Sequence, residues 1–166
     1  MNSAPPIWLS VAFAFVALAE VPGPGSNPVI MRWAKDLSVP YADDDEAWCA
    51  LFLNRLMLAC QLPVSGHSYD LLRAKSFATY GKAQQKPSLG SIMVFTRPTG
   101  GHVGLYLGET ATDYRILGGN TSNAVGGAWL SKQSLIAMRW PTDPPATLDG
   151  PVQLAATGEP LSVDEG

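Results

Sequence analysis

The sequence predicts an α+β domain in which N-terminal helices pack on an antiparallel sheet of about four to six strands. Up to residue 80 the apolar residues form long runs that are typical of helices, and from Leu89 onward they form short runs bounded by Gly, Pro, Thr and Asp. With 166 residues, of which 46% are hydrophobic and 15% charged, the chain has the size and composition of one globular domain.

The first apolar run, residues 7–19 (IWLSVAFAFVALA), is predicted to form a buried helix. It is similar to a signal peptide, since it ends in the small-x-small pattern Ala17-Leu18-Ala19. However, no Lys or Arg precedes Arg32, so the basic n-region is missing. The run is also shorter than the about 20 residues that cross a bilayer. We therefore expect no cleaved signal peptide and no stable membrane insertion.

Two further helices follow. One is predicted over residues 28–37, because Asn27 is a favoured N-cap and Pro28 suits the first helical position. The next covers residues 48–60, is almost wholly apolar, and follows an acidic run at residues 43–46. One aspartate of that run is expected to cap the helix, and the other acids favour its positive end. This should be the central and most buried helix.

A fourth helix is predicted over residues 68–80. Ser68 would be its cap, Asp70 lies in its first turn, and Gly81 occupies the C′ position that glycine favours. The strands are expected in the short apolar runs IMVF, HVGLYLGE, YRILGGN and SLIAMRW.

Residues 142–166 are predicted to form a flexible, Pro-rich acidic tail, which leaves residues 1–141 as the domain. The tail holds five of the 14 acidic residues and none of the 11 basic ones, and the net charge of the chain is −3. The weak positive balance that remains in the domain is too small to indicate a nucleic-acid partner.

The chain has two cysteines, Cys49 and Cys60. On one helix they would lie roughly 16 Å apart, whereas a disulfide needs Cα atoms within about 7 Å. Both thiols are therefore expected to be free. Cys49 lies in the first turn, where the helix start favours thiolate, so it is the predicted nucleophile. On position alone, an ordinary buried cysteine is an equal alternative for Cys49.

His102 is the predicted general base. It opens the strand HVGLYLGE, and Gly104 on the same face leaves space around the ring. Folding the chain about Ala111 places Asn120 directly opposite His102, with Cβ atoms about 5 Å apart. A register slip of one residue would move Asn120 to the other face. Cys49, His102 and Asn120 thus form a nucleophile, base and orienting group.

Tyr41 and Trp48 are the remaining candidates for the site. Tyr41 is a candidate second oxyanion donor beside the backbone N–H of Cys49, and Trp48 is a candidate substrate contact. His67 is a rival base that lacks an orienting neighbour. The two cysteines and two histidines show none of the close paired spacing of zinc motifs, so no metal and no other cofactor is expected.

The motifs occur in a recognisable order: WCA-x-F on a helix, then GSIMVF, GHVGLYLG, LGGN and a strand ending in MRWP, with EVPGPGSNP upstream. This order, over residues 8–141, resembles the papain-like wall hydrolases of the CHAP and NlpC type, in a compact phage and bacterial branch. The resemblance implies a papain-like fold in which Cys49 is the nucleophile, His102 the base and Asn120 the third polar residue. One departure is Gly90-Ser91, where the family usually has Gly-Asp before the strand.

The resemblance also implies a function. We expect a peptidoglycan hydrolase that cleaves an amide bond of the wall peptide, as phage endolysins and antibacterial effectors do. It would be made in the cytoplasm, act at the cell wall or in the periplasm as a monomer, and have a holin or an immunity protein as its protein partner. Two alternatives stay open: a thiol acyltransferase or deamidase on the same fold, and an inactive structural or binding module of a phage particle.

Overall fold

A computed structural model describes residues 4–142 and 150–158. In this part of the chain three α-helices pack on one face of a six-stranded antiparallel sheet, which confirms the α+β class. The helices are α1 (Ile7–Phe13), α2 (Pro28–Asp36) and α3 (Cys49–Ala59). None of the described helices is long and apolar enough to span a bilayer.

The strands lie in the spatial order β1-β6-β2-β3-β4-β5. Their bounds are β1 (Lys82–Ala83), β2 (Ile92–Arg97), β3 (Gly100–Glu109), β4 (Asp113–Thr121), β5 (Ala124–Ser131) and β6 (Leu135–Trp140). The sequence did not predict β1 or β5. Strand β5 carries Gly126 and Gly127 in its middle, and adjacent glycines weaken the strand pattern.

Helix α3 is the central helix, as predicted. Eight of its 11 residues are buried, and it packs on both β3 and β4. Its polar residue Asn54 is fully buried, and the amide donates to the carbonyl of Leu71 and accepts from the N–H of Ser65. Because these bonds satisfy the buried amide, α3 is also tied to the chain that follows it.

The acidic run does not cap α3, contrary to the prediction. The residue at the N-cap is Trp48, which has no side-chain cap bond. Asp44 is instead fully buried, and its Oδ2 accepts from the N–H of Val21 (3.1 Å) and of Asn27 (2.7 Å). Burial raises the pKa of Asp44, but these backbone hydrogen bonds hold the pKa below its usual value. Asp44 therefore anchors the EVPGPGSNP segment.

Helix α1 is shorter than predicted. Its buried residues are Trp8, Leu9 and Ala12, whereas Ile7 and Phe13 are exposed. The prediction of a buried helix is therefore correct for one side of α1 and wrong for the other.

Beyond α1 the chain follows the edge of the sheet. Ala17 has a φ of 73°, and its N–H donates to the carbonyl of Val125, while the N–H of Val125 donates to the carbonyl of Leu18. These bonds with β5 replace the helical hydrogen bonds that residues 14–19 would have made.

Residues 68–80 do not form one α-helix. They form two 3₁₀ helices, Ser68–Leu72 and Ala74–Thr79, separated by Arg73 in an extended conformation. Ser68 makes no cap bond and has a φ of 51°. The break lets buried side chains from both short helices, Leu71 and Phe77, face the core.

The turn at Gly90-Ser91 is held by hydrogen bonds of the serine side chain. The hydroxyl of Ser91 accepts from the N–H of Ser88 (2.8 Å) and donates to Oε1 of Gln84 (2.7 Å). Ser91 is fully buried, so its hydroxyl serves as the polar group of this turn.

Residues 150–158 pack against the end of β3. The N–H of Glu109 donates to the carbonyl of Val152, and the N–H of Leu154 donates to the carbonyl of Glu109, both at 2.8 Å. The hydroxyl of Tyr106 accepts from the N–H of Val152 (3.0 Å). This stretch is therefore part of the folded domain.

The predicted domain boundary is wrong in part as a result. The expectation of a flexible tail over residues 142–166 does not hold for residues 150–158, because a buried leucine and a hydrogen-bonded backbone fix them. Residues 143–149 and 159–166 of the predicted tail lie outside the described residues.

We expect Leu154→Ala to lower the free energy of unfolding by about 2 kcal/mol. Leu154 is buried, and its side chain lies directly on Gly108 of β3. Urea unfolding followed by circular dichroism measures the change. The matched control is Leu58→Ala, since Leu58 is 42% exposed on α3 and should change stability by less than about 0.5 kcal/mol. Equal losses in the two variants would contradict a docked C-terminal segment.

Candidate active site

Cys49 is the first residue of α3, is free, and is buried, with 5% of its surface exposed. The backbone N–H groups of Val103 on β3, and of Cys49 and Ala50 at the helix start, lie near enough to its sulfur to lower the pKa of the thiol. Because Val103 directly follows His102, these contacts place the sulfur beside the backbone of the predicted base. The structure therefore brings the helix start and β3 together.

The ionisation of Cys49 differs from the prediction. Burial raises the pKa of the thiol, and the N–H groups of Val103 and Ala50 and the charge of Arg97 lower it by less. The net result is a raised pKa. The helix start alone therefore does not make Cys49 a thiolate, and the thiol is protonated at neutral pH in this resting arrangement.

His102 is 1% exposed, and its Nε2 atom has no hydrogen-bond partner. His102 pairs with Phe95 across β3 and β2, and directly paired residues share a face. Phe95 belongs to the cluster that also contains Tyr106, on the sheet face away from the helices. Nε2 lies 3.0 Å from the point that a Cβ at Gly118 would occupy. The absence of a side chain at Gly118 therefore makes room for the ring.

The pKa of His102 is lowered to about 4, because the ring is buried and Arg97 repels the protonated form. The imidazole is therefore neutral at physiological pH, as a general base must be. Among the described residues Nε2 makes no hydrogen bond to the thiol of Cys49. The ring lies on the far face of the sheet, and rotation of the side chain alone does not carry it across, so the backbone of β3 at His102 must shift before the ring can take a proton from that thiol.

Asn120 lies at the irregular end of β4. The predicted fold-back is confirmed further along the hairpin, where Leu105 pairs with Leu117. At Asn120 the backbone has a left-handed φ of 53°, and the pairing of β4 with β5 shifts between Gly118 and Thr121. Asn120 is therefore not a regular partner of His102, and its amide makes no hydrogen bond to Nε2 of that ring.

Tyr41 and Trp48 have other roles than those predicted. The hydroxyl of Tyr41 donates to the carbonyl of Glu46 (2.7 Å), so it is engaged rather than aimed at an oxyanion. Trp48 has no exposed surface, and its Nε1 donates to Oε1 of Glu20 (2.7 Å). Its ring lies against Gly119. The prediction that Trp48 contacts substrate is wrong, because the residue anchors the start of α3 in the core.

The other candidate ligands are dispersed. His67 is exposed and precedes the first 3₁₀ helix. Within residues 4–142 and 150–158 no group of three or more His, Cys, Asp or Glu side chains is placed to hold a metal ion.

A cleft of about 330 Å³ opens beside Cys49. The sequence does not predict this cleft, since most of its walls come from the 3₁₀ helices and the β2–β3 turn, which are far from Cys49 in sequence. The lining residues are Ala47, Cys49, Leu72, Arg73, Ala74, Lys75, Thr99, Gly100 and Gly101. Gly100 and Gly101, which precede His102, are the part of the lining that a sequence pattern could indicate, because glycines leave open space. The sequence alone does not show that they face Cys49.

Together the fold and the site define an α+β domain with a cysteine at the start of its central helix, placed between a strand and an open cleft. No protein-family model matches the chain, and no curated protein matches it.

Proposed function

We propose that the chain is a cysteine hydrolase that cleaves an amide bond in the peptide of bacterial peptidoglycan. The observation that carries this proposal is the position of Cys49. Its thiol lies at the wall of the cleft, at the start of α3, and three nearby backbone N–H groups lower its pKa against the effect of burial. Such donors stabilise the negative charge that develops on sulfur and on the carbonyl oxygen during acyl transfer.

The reaction has two halves. His102 removes the proton of the Cys49 thiol, the sulfur attacks the amide carbon, and His102 returns the proton to the leaving amine. Water then attacks the thioester, which releases a carboxylic acid and restores the thiol. The step requires the end of β3 that carries His102 to rearrange when substrate enters, so that the ring reaches the face on which Cys49 lies. Catalytic hydrogen bonds that are absent or long without substrate commonly tighten in the complex.

The substrate class is supported by the motif order of the sequence. WCA at the start of α3, GHVG on β3 and LGGN on β4 stand in the same order as in the wall hydrolases that the chain resembles. These three segments converge at the same end of the sheet, around Cys49 and His102.

The proposal is tested by digesting purified peptidoglycan with the reduced protein and identifying the products by mass spectrometry. The expected result is soluble peptide or muropeptide carrying one new amine and one new carboxyl end. The position of the new ends also identifies the bond that is cut. Peptidoglycan that stays intact with folded, fully reduced protein contradicts the proposal.

One observation favours a second candidate, the inactive structural or binding module. The resting thiol has a raised pKa, and the ring of His102 is not bonded to it. The rate of Cys49 alkylation against pH separates the two candidates when it is measured in the presence of soluble peptidoglycan fragments, because the hydrolase brings His102 to Cys49 only with substrate bound. A single high inflection that is unchanged in His102→Gln supports the inactive module. A lowered apparent pKa that returns to a high value in His102→Gln supports the hydrolase.

A further inference from the structure

We propose that the cleft beside Cys49 binds a carboxylate of the substrate through Arg73 and Lys75, so that the preferred peptide is acidic near the cleaved amide. This inference rests on the proposed function and names the substrate chemistry of the same site.

The first support is the charge of the cleft wall. Arg73 and Lys75 line the cleft together with Cys49, and no acidic side chain lines it. Asp45 and Glu46 precede the lining residue Ala47, but neither forms part of the wall. An anionic group that enters the cleft therefore meets two cations without a competing carboxylate in the lining.

The second support is the placement of the two cationic side chains. The stem of Lys75 crosses Gly101, where Cγ of the lysine lies 3.3 Å from the point that a glycine Cβ would occupy. Gly101 directly precedes His102, so the stem of Lys75 lies against β3 next to the predicted base. Arg73 bonds only loosely to Asp70, at 3.5 Å, with side chains 71% and 54% exposed. Such an exposed pair contributes little, so the guanidinium can exchange Asp70 for a substrate carboxylate.

Arg97 adds a third positive charge near the site. Its charge lowers the pKa of both Cys49 and His102, so it lies within electrostatic reach of the two groups. Arg97 is at the end of β2, and the turn that follows it supplies Thr99 and Gly100 to the cleft. The positive field of the cleft therefore extends to the reacting sulfur.

The chemistry matches a peptide with a free carboxylate on the residue next to the cleaved bond. A carboxylate held by a planar guanidinium and an ammonium fixes the acyl group relative to the sulfur. The cleft therefore predicts a preference for the free acid over the amide.

The test compares two synthetic peptides that span the bond identified by the digestion experiment and differ only in a free or amidated carboxyl on the residue next to that bond. For the wild-type protein we expect kcat/KM to be about tenfold higher for the free acid, since each exposed ion pair changes a rate constant by up to about fivefold. In the Arg73→Gln/Lys75→Gln protein this preference should fall below about twofold. Lys86→Gln is the control, since Lys86 is exposed and does not line the cleft.

Raising the salt concentration gives a second kinetic readout. The preference for the free acid should shrink as the ionic strength rises from about 0.05 to 0.5 M, because salt screens exposed charges. The amidated peptide should show little salt dependence.

A binding measurement separates this inference from the proposed function. Calorimetry with Cys49→Ala protein reports the affinity for each peptide without turnover. Tighter binding of the free acid, lost in Arg73→Gln/Lys75→Gln, supports the carboxylate site even if wild-type protein cleaves neither peptide. Cleavage and binding that are equal for the two peptides overturn the carboxylate site and leave the hydrolase standing. Absence of both binding and cleavage overturns both.

Discussion

Cys49→Ala protein is expected to release no soluble peptide from peptidoglycan, with a rate at least about 1000-fold below that of wild type. The thiol is the atom that forms the acyl intermediate, and alanine offers no replacement nucleophile. Cys60→Ala is the matched control. Cys60 lies at the other end of the same helix, outside the cleft, so this variant should keep the wild-type rate. Release of labelled wall fragments with time measures both.

The loss of activity must not come from unfolding. Cys49 is almost fully buried, and its replacement by the smaller alanine should cost about 1 kcal/mol of unfolding free energy, which leaves the domain folded. Circular dichroism and urea unfolding of both alanine variants provide this check. Activity that survives in folded Cys49→Ala protein, or that disappears in Cys60→Ala, would remove Cys49 as the nucleophile.

Acidification from pH 6.5 toward pH 5 is expected to destabilise the domain through His102. The pKa of this ring is about 4 in the folded protein and near the ordinary 6.5 in the unfolded chain. The unfolded chain therefore binds a proton that the folded protein excludes. The stabilisation is fully present above pH 6.5, decreases as the pH falls below it, and amounts to about 3 kcal/mol over the whole window. Urea unfolding at several pH values measures the slope.

The histidine variants assign this slope. In His102→Gln protein the slope between pH 5 and 6.5 should vanish, although glutamine at the buried site also lowers stability at every pH. His67→Gln should keep the slope, because His67 is exposed. Carboxylates with lowered pKa values, such as Asp36 and Asp44, lose their contribution at lower pH and do not obscure this window. Identical slopes in wild type and His102→Gln would show that the ring titrates normally when folded.

Much of the fold was predictable because its signals are local. Asn27 caps α2 through a bond from the N–H of Val29, and Pro28 takes the first helical position, as the dipeptide indicated. The apolar run of α3 and the short strand runs also indicated their elements. The wrong predictions concern residues whose partners are distant in sequence. Asp44 does not cap α3, because it accepts hydrogen bonds from two backbone N–H groups more than 15 residues away in sequence.

The candidate site was predictable only in outline. Helix position singled out Cys49, and the turn around residue 111 gave the correct pairing of Leu105 with Leu117. The left-handed backbone at Asn120 ends that regular pairing, which alternation alone cannot anticipate. Burial also decides the protonation of Cys49 and His102, and burial depends on elements distant in sequence.

The cleft could not be predicted from local sequence patterns either. Its cations, Arg73 and Lys75, lie 24 and 26 residues beyond Cys49, on a segment that the sequence suggested was one regular helix. The extended backbone at Arg73 breaks that segment and brings both side chains to the wall. No local pattern in the sequence specified this break.

The burial of the Cys49 thiol has a consequence for chemical durability. Peroxides and other oxidants attack the thiolate and reach it through solvent, and Cys49 in the resting protein offers neither a thiolate nor an exposed sulfur. Cys49 should therefore withstand oxidising surroundings without forming sulfenic acid while the protein is idle. Its sulfur would become vulnerable chiefly during turnover, when the imidazole draws the proton away.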